Sequence, residues 1–177
     1  DVYELPPNGQ GLTALLALNI LSGFDLKNHD DPETLHVQIE AVKLAFADTL
    51  RHIADPAHMR ADIRTLLSPA YAASRRKLIA DTAGTYGPGV PEASDTVYFC
   101  TADAEGNSVS MIQSLFYPFG SGVVVPGTGI ALQNRGNCFT TEAGHVNRVG
   151  PRKRPYHTIM PGFLGRGGAP LGPFGVV

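Results

Sequence analysis

The chain has 177 residues, a length that suits a single ordinary domain. Hydrophobic residues make up 43% of the sequence and charged residues 17%, a composition that excludes an intrinsically disordered protein. The 14 Lys and Arg residues against 16 Asp and Glu residues leave a formal charge of -2, so we expect no nucleic-acid partner held by counterion release.

Membrane, redox and metal-binding classes are also disfavoured. No apolar stretch approaches the roughly 18 residues of a membrane span, so we expect a soluble protein with no membrane partner, in the cytoplasm or the periplasm. Cys100 and Cys138 lack the spacing of a redox pair or a zinc site, and we expect both thiols to be buried and reduced. No metal ion and no cofactor is predicted.

The first half of the chain is predicted to be helical. Three segments show helical spacing of apolar residues or an N-cap residue followed by proline, and they begin at Leu12, Pro32 and Pro69. The second helix is expected to bury one apolar face, which carries Leu35, Ile39, Val42, Phe46, Leu50 and Ile53. Its charged face is expected to be solvated or paired with a neighbouring element, and it carries Glu33, Glu40, Lys43, Asp48 and Arg51.

The second half changes to a residue period of two, which predicts antiparallel strands. The predicted strand segments are residues 97–102, 108–113, 120–132, 161–164 and 171–177, of which the first two form a hairpin. Between the halves, residues 81–94 are rich in Gly, Pro and small polar residues and are predicted to be an exposed linker. Helices that precede antiparallel strands favour the α+β class over a parallel sheet.

The linker runs directly into a strand that begins with threonine, and this junction suggests cleavage between Asp95 and Thr96. A cut there gives Thr96 a free α-amino group with a pKa of about 7.7 to 8.0, which suits a general base near neutral pH. Nucleophile and base then belong to one residue. Spacing alone leaves a structural role open, because threonine is a common strand residue.

The segments VYELPPNGQG (2–11), DTVY (95–98), GNSVS (106–110), FGSG (119–122) and KRP (153–155) occur in this order over nearly the whole chain. Together they resemble the gamma-glutamyltransferase family of N-terminal-nucleophile hydrolases. The resemblance implies an αββα sandwich and an inactive precursor that cuts itself before a threonine. It also implies that Thr96 is the nucleophile for both cleavage and turnover. Residues 1–95 would then be the helical end of a large subunit, and residues 96–177 the β-rich start of a small one.

The resemblance further predicts that the chain is a fragment. It starts with Asp1 rather than Met, and it stops before the position at which the family has a Gly-Gly pair whose N–H groups form the oxyanion hole. We therefore expect this segment to be inactive alone. Its expected partners are a small-molecule amide substrate and the remainder of both subunits, with a homo-oligomer left open.

Two catalytic residues and a cleavage site are predicted from the resemblance. Thr96 is the predicted nucleophile, and the bond from Asp95 to Thr96 is the predicted cleavage site. Ser114 stands where the family has a hydroxyl residue that hydrogen-bonds the nucleophile, and serine keeps that donor and acceptor. A strand-end serine that satisfies a nearby backbone group is the alternative for Ser114.

The predicted substrate clamp departs from the family pattern. Phe116, Arg135 and Cys138 stand where typical members hold the α-amino group of a gamma-glutamyl substrate, and none of the three offers a carboxylate acceptor. The guanidinium of Arg135 would repel an ammonium, whereas a carboxylate could accept two parallel N–H bonds from it, so we expect the charge preference of the site to be inverted. A structural ion pair between Arg135 and Glu142 is the alternative.

Three further residues are predicted to bind substrate. His157 and Thr158 stand where the family usually has two serines that bind the substrate carboxylate, and the charge of His157 near pH 7 is left open. Asn137 belongs to the run LQNRGN at 132–137, which resembles a subgroup of oxamate-type amidohydrolases and related acylases.

Three functions follow as hypotheses. The first is acyl transfer from a gamma-glutamyl or similar amide through a threonine acyl-enzyme, by hydrolysis or by transpeptidation. The second is an amidohydrolase or acylase for an amide whose acyl group carries a carboxylate but no α-amino group, such as an oxamate or a glutaryl amide. The third is a non-catalytic fragment.

Overall fold

The computed structural model describes residues 1–26, 28–86 and 96–175. Asp95 and most of the predicted linker, residues 87–94, lie outside the described residues. Within the described ranges, the α-helices all lie in the first half, and every strand except the two-residue β-strand Val2–Tyr3 lies in the second half, where the sheets are antiparallel. The predicted α+β class is therefore confirmed. No helix in these ranges is long and apolar enough to cross a membrane.

The four helices of the described ranges are α1 (Gly11–Leu21), α2 (Pro32–His52), α3 (Ile63–Leu66) and α4 (Pro69–Arg76). Capping explains two of the predicted starts. The Asp31 side chain accepts from the Thr34 N–H at the start of α2, and the Ser68 hydroxyl accepts from the Tyr71 N–H at the start of α4. The short helix α3 and the 3-10 turns at Pro56–His58 and Arg135–Cys138 were not predicted.

The core of the helical half lies between α1 and α2. Its fully buried apolar side chains come mainly from these two helices and from the chain that follows α2: Leu12, Leu16, Ile20, Leu44, Ala45 and Ile53. Burial of a leucine or isoleucine side chain contributes about 1.5 to 3 kcal/mol, so this interface accounts for much of the stability of the helical layer.

The predicted orientation of α2 is wrong over its first half. Leu35, Ile39 and Val42 are 44%, 58% and 41% exposed, whereas Glu40 is 1% exposed. Glu40 is buried because it gains two partners: Lys43 Nζ within α2 at 2.6 Å and the Gly84 N–H after α4 at 2.9 Å. Ile53, just after α2, is buried as predicted.

Two sheets are formed in the described ranges. One contains β1 (Val2–Tyr3), β4 (Gly162–Arg166) and β5 (Ala169–Phe174) in the order β1-β4-β5, and all its pairs are antiparallel. The other is the hairpin of β2 (Thr96–Ala102) and β3 (Ser108–Ser114). The predicted hairpin and the two last strands are confirmed, whereas β1 was not predicted.

The strand predicted over residues 120–132 is wrong. This region forms only an isolated bridge between Val124 and Ala131. Four glycines in it adopt positive φ angles, which break the regular alternation of a strand: Gly120, Gly122, Gly127 and Gly129.

The hairpin presents two different faces. Val97, Phe99, Val109 and Met111 lie on the exposed face. The opposite face carries Thr96, Tyr98, Ser110 and Ser114. It contacts the β1-β4-β5 sheet, because Ser110 Oγ donates to the Gly162 carbonyl at 2.9 Å. Cys100 is exposed and Cys138 is half-buried, so the prediction of two buried thiols is wrong.

Candidate active site

Thr96 and Ser114 lie opposite each other at the open end of the hairpin. Thr96 is the first residue of β2 and Ser114 is the last of β3, and the antiparallel register pairs them directly. Paired residues project from the same face of a sheet, so their hydroxyls meet. Thr96 Oγ1 lies 3.1 Å from Ser114 Oγ, within hydrogen-bond distance. Each hydroxyl can donate to or accept from the other, so the pair can orient a nucleophile and share its proton.

Phe116 adds a third group to the hydroxyl pair. Its backbone N–H donates to Ser114 Oγ at 3.0 Å. Phe116 reaches back in this way because its φ angle is 81°, in the left-handed region that a bulky residue rarely adopts. Such a conformation costs on the order of 1 to 3 kcal/mol and often marks a functional site. Ser114 Oγ therefore accepts from both the Phe116 N–H and the Thr96 hydroxyl.

Arg135 lies beside this group and is 6% exposed. It begins the 3-10 turn Arg135–Cys138, and its Nη1 donates to Thr158 Oγ1 at 3.0 Å. The guanidinium carbon lies 5.2 Å from the centre of the Phe116 ring, a cation-π contact. Phe116 therefore contacts Ser114 through its backbone and Arg135 through its ring.

The guanidinium of Arg135 is incompletely satisfied. Its Nε and Nη2 atoms are buried and have no hydrogen-bond partner among the described residues. Within the same ranges Arg135 forms no ion pair, so the alternative pairing with Glu142 is not formed. Burial lowers the pKa of Arg135 from its ordinary value, with a small opposing effect of Cys138. Two adjacent unpaired N–H groups are the donors that a carboxylate accepts in a bidentate pair.

His157 is the neighbour whose charge the sequence left open. Burial, followed by the positive charges of Arg135 and Arg154, lowers the pKa of His157 below its usual value of 6.5. The ring is therefore neutral near pH 7. Its Nδ1 accepts from the Ile159 N–H at 3.2 Å, which assigns the proton of the neutral ring to Nε2.

Asn137 makes its side-chain hydrogen bond outside the group formed by Thr96, Ser114, Phe116, Arg135 and Thr158. Its side chain is exposed, and Nδ2 donates to the Tyr117 hydroxyl at 3.0 Å. The structure thus brings together Thr96 with Ser114 and Arg135 with Thr158, joined by Phe116, while Asn137 faces solvent.

The thiol of Cys138 is neutral. Burial raises the pKa of Cys138, and the nearby charge of Arg135 only partly opposes this effect. The described residues contain no cluster of three His, Cys, Asp or Glu side chains that could hold a metal ion.

Three buried residues near the site were missed by the sequence analysis. Asn8, Asp55 and Asn147 are 6%, 7% and 6% exposed, and all three contact the segment that carries His157 and Thr158. Asn8 belongs to a family-like segment that was interpreted as a turn. Asp55 and Asn147 carried no sequence signal, because each lies in an irregular stretch and its partner is distant in the sequence.

The fold places the chain in the N-terminal-nucleophile class of α+β proteins. It belongs to the gamma-glutamyltranspeptidase family, whose model matches residues 1–177.

Comparisons with three individual proteins support this family assignment. The chain is 44% identical over 175 residues to a glutathione hydrolase-like YwrD proenzyme of Bacillus subtilis, with 96% of this chain and 33% of that protein covered. It is 39% identical over 160 residues to an oxamate amidohydrolase proenzyme of Klebsiella pneumoniae, covering 90% and 30%. The structure matches a cephalosporin acylase from Bacillus halodurans with a TM-score of 0.90 and 53% identity, covering 97% and 31%. The chain therefore spans about a third of the length of each.

Proposed function

We propose that the full-length protein is an acyl-transfer enzyme that uses Thr96 as its nucleophile after self-cleavage. The observation that carries the proposal is the 3.1 Å contact of Thr96 Oγ1 with Ser114 Oγ at the start of β2. Membership of the family supports it, as do relatives named as glutathione hydrolase, acylase and oxamate amidohydrolase proenzymes.

The proposed self-cleavage generates the active residue. Thr96 Oγ1 attacks the carbonyl carbon of Asp95, its hydroxyl proton passes to the leaving nitrogen as the peptide C–N bond breaks, and the acyl group moves to oxygen as an ester. Water hydrolyses the ester and leaves Asp95 with a carboxylate and Thr96 with a free amine. Residues 1–95 then end a large subunit and residues 96–177 begin a small one. The remainder of both subunits completes the enzyme.

The proposed turnover repeats the chemistry on a substrate amide. The Thr96 amine, with a pKa of about 7.7 to 8.0, removes the proton from Oγ1, which attacks the amide carbonyl carbon. The amine product leaves with that proton, and an acyl ester remains on Thr96. Water releases the acyl group in hydrolysis, and an acceptor amine releases it in transpeptidation. Ser114 Oγ accepts from Thr96 Oγ1 and from the Phe116 N–H, and it orients Oγ1 for the attack.

The substrate preference is a second proposal with its own observation. Arg135 is 6% exposed and has two buried N–H groups without partners, so we expect a carboxylate on the acyl group to bind there. Arg135, Phe116 and Cys138 offer no anion for an α-ammonium. A glutaryl-type or oxamate-type amide therefore fits better than a gamma-glutamyl amide. His157 and Thr158 complete this end of the site, and Asn137 is a substrate contact only if it rearranges from Tyr117.

Mass spectrometry of the full-length protein tests the nucleophile. We expect a small subunit that begins Thr96-Val97-Tyr98, and its loss in Thr96→Ala. Thr96→Ser should still cleave, because it keeps the hydroxyl. Thr101→Ala is the matched control, since Thr101 lies on the same strand away from the hydroxyl pair. Cleavage in Thr96→Ala, or full turnover without cleavage, would contradict the proposal.

Kinetics on paired substrates test the preference. Glutaryl p-nitroanilide and gamma-glutamyl p-nitroanilide differ only in the α-amino group, and we expect a higher kcat/KM for the glutaryl compound. Arg135→Met should remove this advantage. A faster gamma-glutamyl reaction that Arg135→Met leaves unchanged would refute the carboxylate site and leave the threonine mechanism standing.

A further inference from the structure

The segment that carries His157 and Thr158 has no regular secondary structure, yet polar side chains hold its backbone. Asp55 Oδ2 accepts from the Arg154 N–H at 3.0 Å, and Asn147 Oδ1 accepts from the Tyr156 N–H at 2.9 Å. Asn8 Nδ2 donates to the Pro155 carbonyl, and the Asn8 carbonyl accepts from the His157 N–H at 3.2 Å. Three consecutive residues, 154–156, are thus fixed by buried polar side chains, and the Asn8 main chain fixes the fourth, His157.

Asn147 differs from the other two because its amide also holds the opposite side of the site. Its Nδ2 donates to the Cys138 carbonyl at 2.7 Å. Cys138 ends the 3-10 turn that begins with Arg135, and Tyr156 lies two residues before Thr158. One planar amide therefore joins the turn that carries the guanidinium to the segment that carries its hydroxyl partner.

We infer that Asn147 is a positioning residue that sets the Arg135–Thr158 contact, and with it the carboxylate-binding end of the site. The inference rests on the proposed function. Asparagine offers a donor and an acceptor in one rigid group, and both are used here. Aspartate lacks the donor, and serine is too short to reach both backbone groups. Asp55 supports the same segment from the end of the helical layer.

A merely structural Asn147 would give a different result from a positioning one. Lost stability alone changes the amount of folded enzyme and acts equally on every substrate. A displaced Arg135 weakens binding only of substrates that carry a carboxylate at that end. The relevant readout is therefore KM for two acyl groups of equal length, glutaryl and pentanoyl, of which only the first carries a terminal carboxylate.

The experiment uses the full-length, self-cleaved protein and its variants Asn147→Asp, Asn147→Ser and Asp55→Asn. We expect KM for glutaryl p-nitroanilide to rise about tenfold in both Asn147 variants, the effect of losing roughly one hydrogen bond to a charged group. Asp55→Asn should raise it less, because its amide keeps one carbonyl acceptor. KM for pentanoyl p-nitroanilide and both kcat values should change less than about twofold.

Two controls sharpen the test. Asn19→Asp is the matched control, because Asn19 also donates to a backbone carbonyl, that of Leu67 at 3.0 Å, and lies in the helical layer. It should leave both KM values unchanged. In an Arg135→Met background, Asn147→Ser should have no further effect on KM for glutaryl, because its effect passes through Arg135.

The outcomes separate this inference from the function on which it rests. Equal changes of KM for both substrates, no change, or full additivity with Arg135→Met would overturn the positioning role. Should Asn147→Ser fail to cleave, the isosteric Asn147→Asp, which keeps the acceptor for the Tyr156 N–H, decides on its own. Failure of the threonine mechanism shows separately, as turnover in Thr96→Ala.

Discussion

Arg135 donates from Nη1 to the Thr158 hydroxyl across 3.0 Å, although the two residues lie 23 positions apart in the sequence. This contact fixes the direction of a guanidinium whose buried Nε and Nη2 have no hydrogen-bond partner among the described residues. The proposed carboxylate site depends on that direction.

Replacement of Thr158 tests that contact directly. Thr158→Val keeps the shape but removes the acceptor, and a hydrogen bond to a charged group contributes about 1.5 to 3 kcal/mol. We expect KM for glutaryl p-nitroanilide to rise at least about tenfold. Thr158→Ser, which keeps the hydroxyl, should stay within about twofold. Equal KM values in the two variants would show that the hydroxyl does not position Arg135.

Replacement of Ser114 tests the hydroxyl pair. Ser114→Ala removes the group that contacts Thr96 Oγ1, and loss of this one hydrogen bond should lower kcat about tenfold. KM should change little, because Ser114 acts on the nucleophile. Ser114→Thr should recover most of the rate. Single-turnover measurements that show unchanged acylation in Ser114→Ala would assign Ser114 to strand packing.

Glu4 makes the free energy of unfolding depend on pH. Burial raises the pKa of Glu4 to about 7 from 4.5, and its Oε2 has no partner among the described residues. The folded protein holds this proton more tightly, so the stabilisation is complete below about pH 4.5 and is lost as pH rises toward 7. Glu4→Gln should flatten this part of the curve.

Denaturant unfolding of the full-length protein from about pH 5 to about pH 8 checks this, with exposed Glu33→Gln as control. A wild-type curve parallel to that of Glu4→Gln would show that Glu4 titrates normally.

Glu40 has the opposite pH dependence. Burial alone would raise its pKa, but hydrogen bonds from Lys43, Tyr86 and the Gly84 N–H outweigh burial and lower the pKa to about 2. The stabilisation is present above about pH 4.5 and is lost as pH falls toward 2. Glu40→Gln keeps an acceptor but loses the charge, and we expect a loss of about 2 kcal/mol in the free energy of unfolding at pH 7.

Exposed Glu105→Gln is the control for this change, and it should alter the free energy of unfolding by less than about 0.5 kcal/mol. Equal unfolding midpoints for Glu40→Gln and wild type would show that the Lys43 pair contributes nothing net.

The sequence predicted features set by neighbouring residues. The starts of α2 and α4 follow from Asp31 and Ser68, whose side chains cap a helix within three residues. The hairpin could be predicted because its two strand segments have a residue period of two and a polar turn joins them. In that turn the Asp103 carboxylate accepts from the Asn107 N–H. The pairing of Thr96 with Ser114 could be anticipated because the hairpin register determines it.

The features that were missed depend on distant partners. Glu40 is buried because Gly84 supplies an N–H 44 residues away, and no local pattern encodes that. The contacts of Asp55 with Arg154 likewise join positions 99 residues apart. The β-type residue pattern of residues 120–132 resembled that of a strand. Such a pattern does not reveal that the glycines within it adopt positive φ angles.

The left-handed backbone at Phe116 restricts how this site can evolve. Asparagine, aspartate and glycine accept such a φ angle more readily than an aromatic residue. Exchange for asparagine would relieve strain and at the same time remove the ring beneath Arg135, placing an amide where an ammonium could dock. A substitution at Phe116 therefore changes the backbone strain and the group that faces Arg135 in a single step.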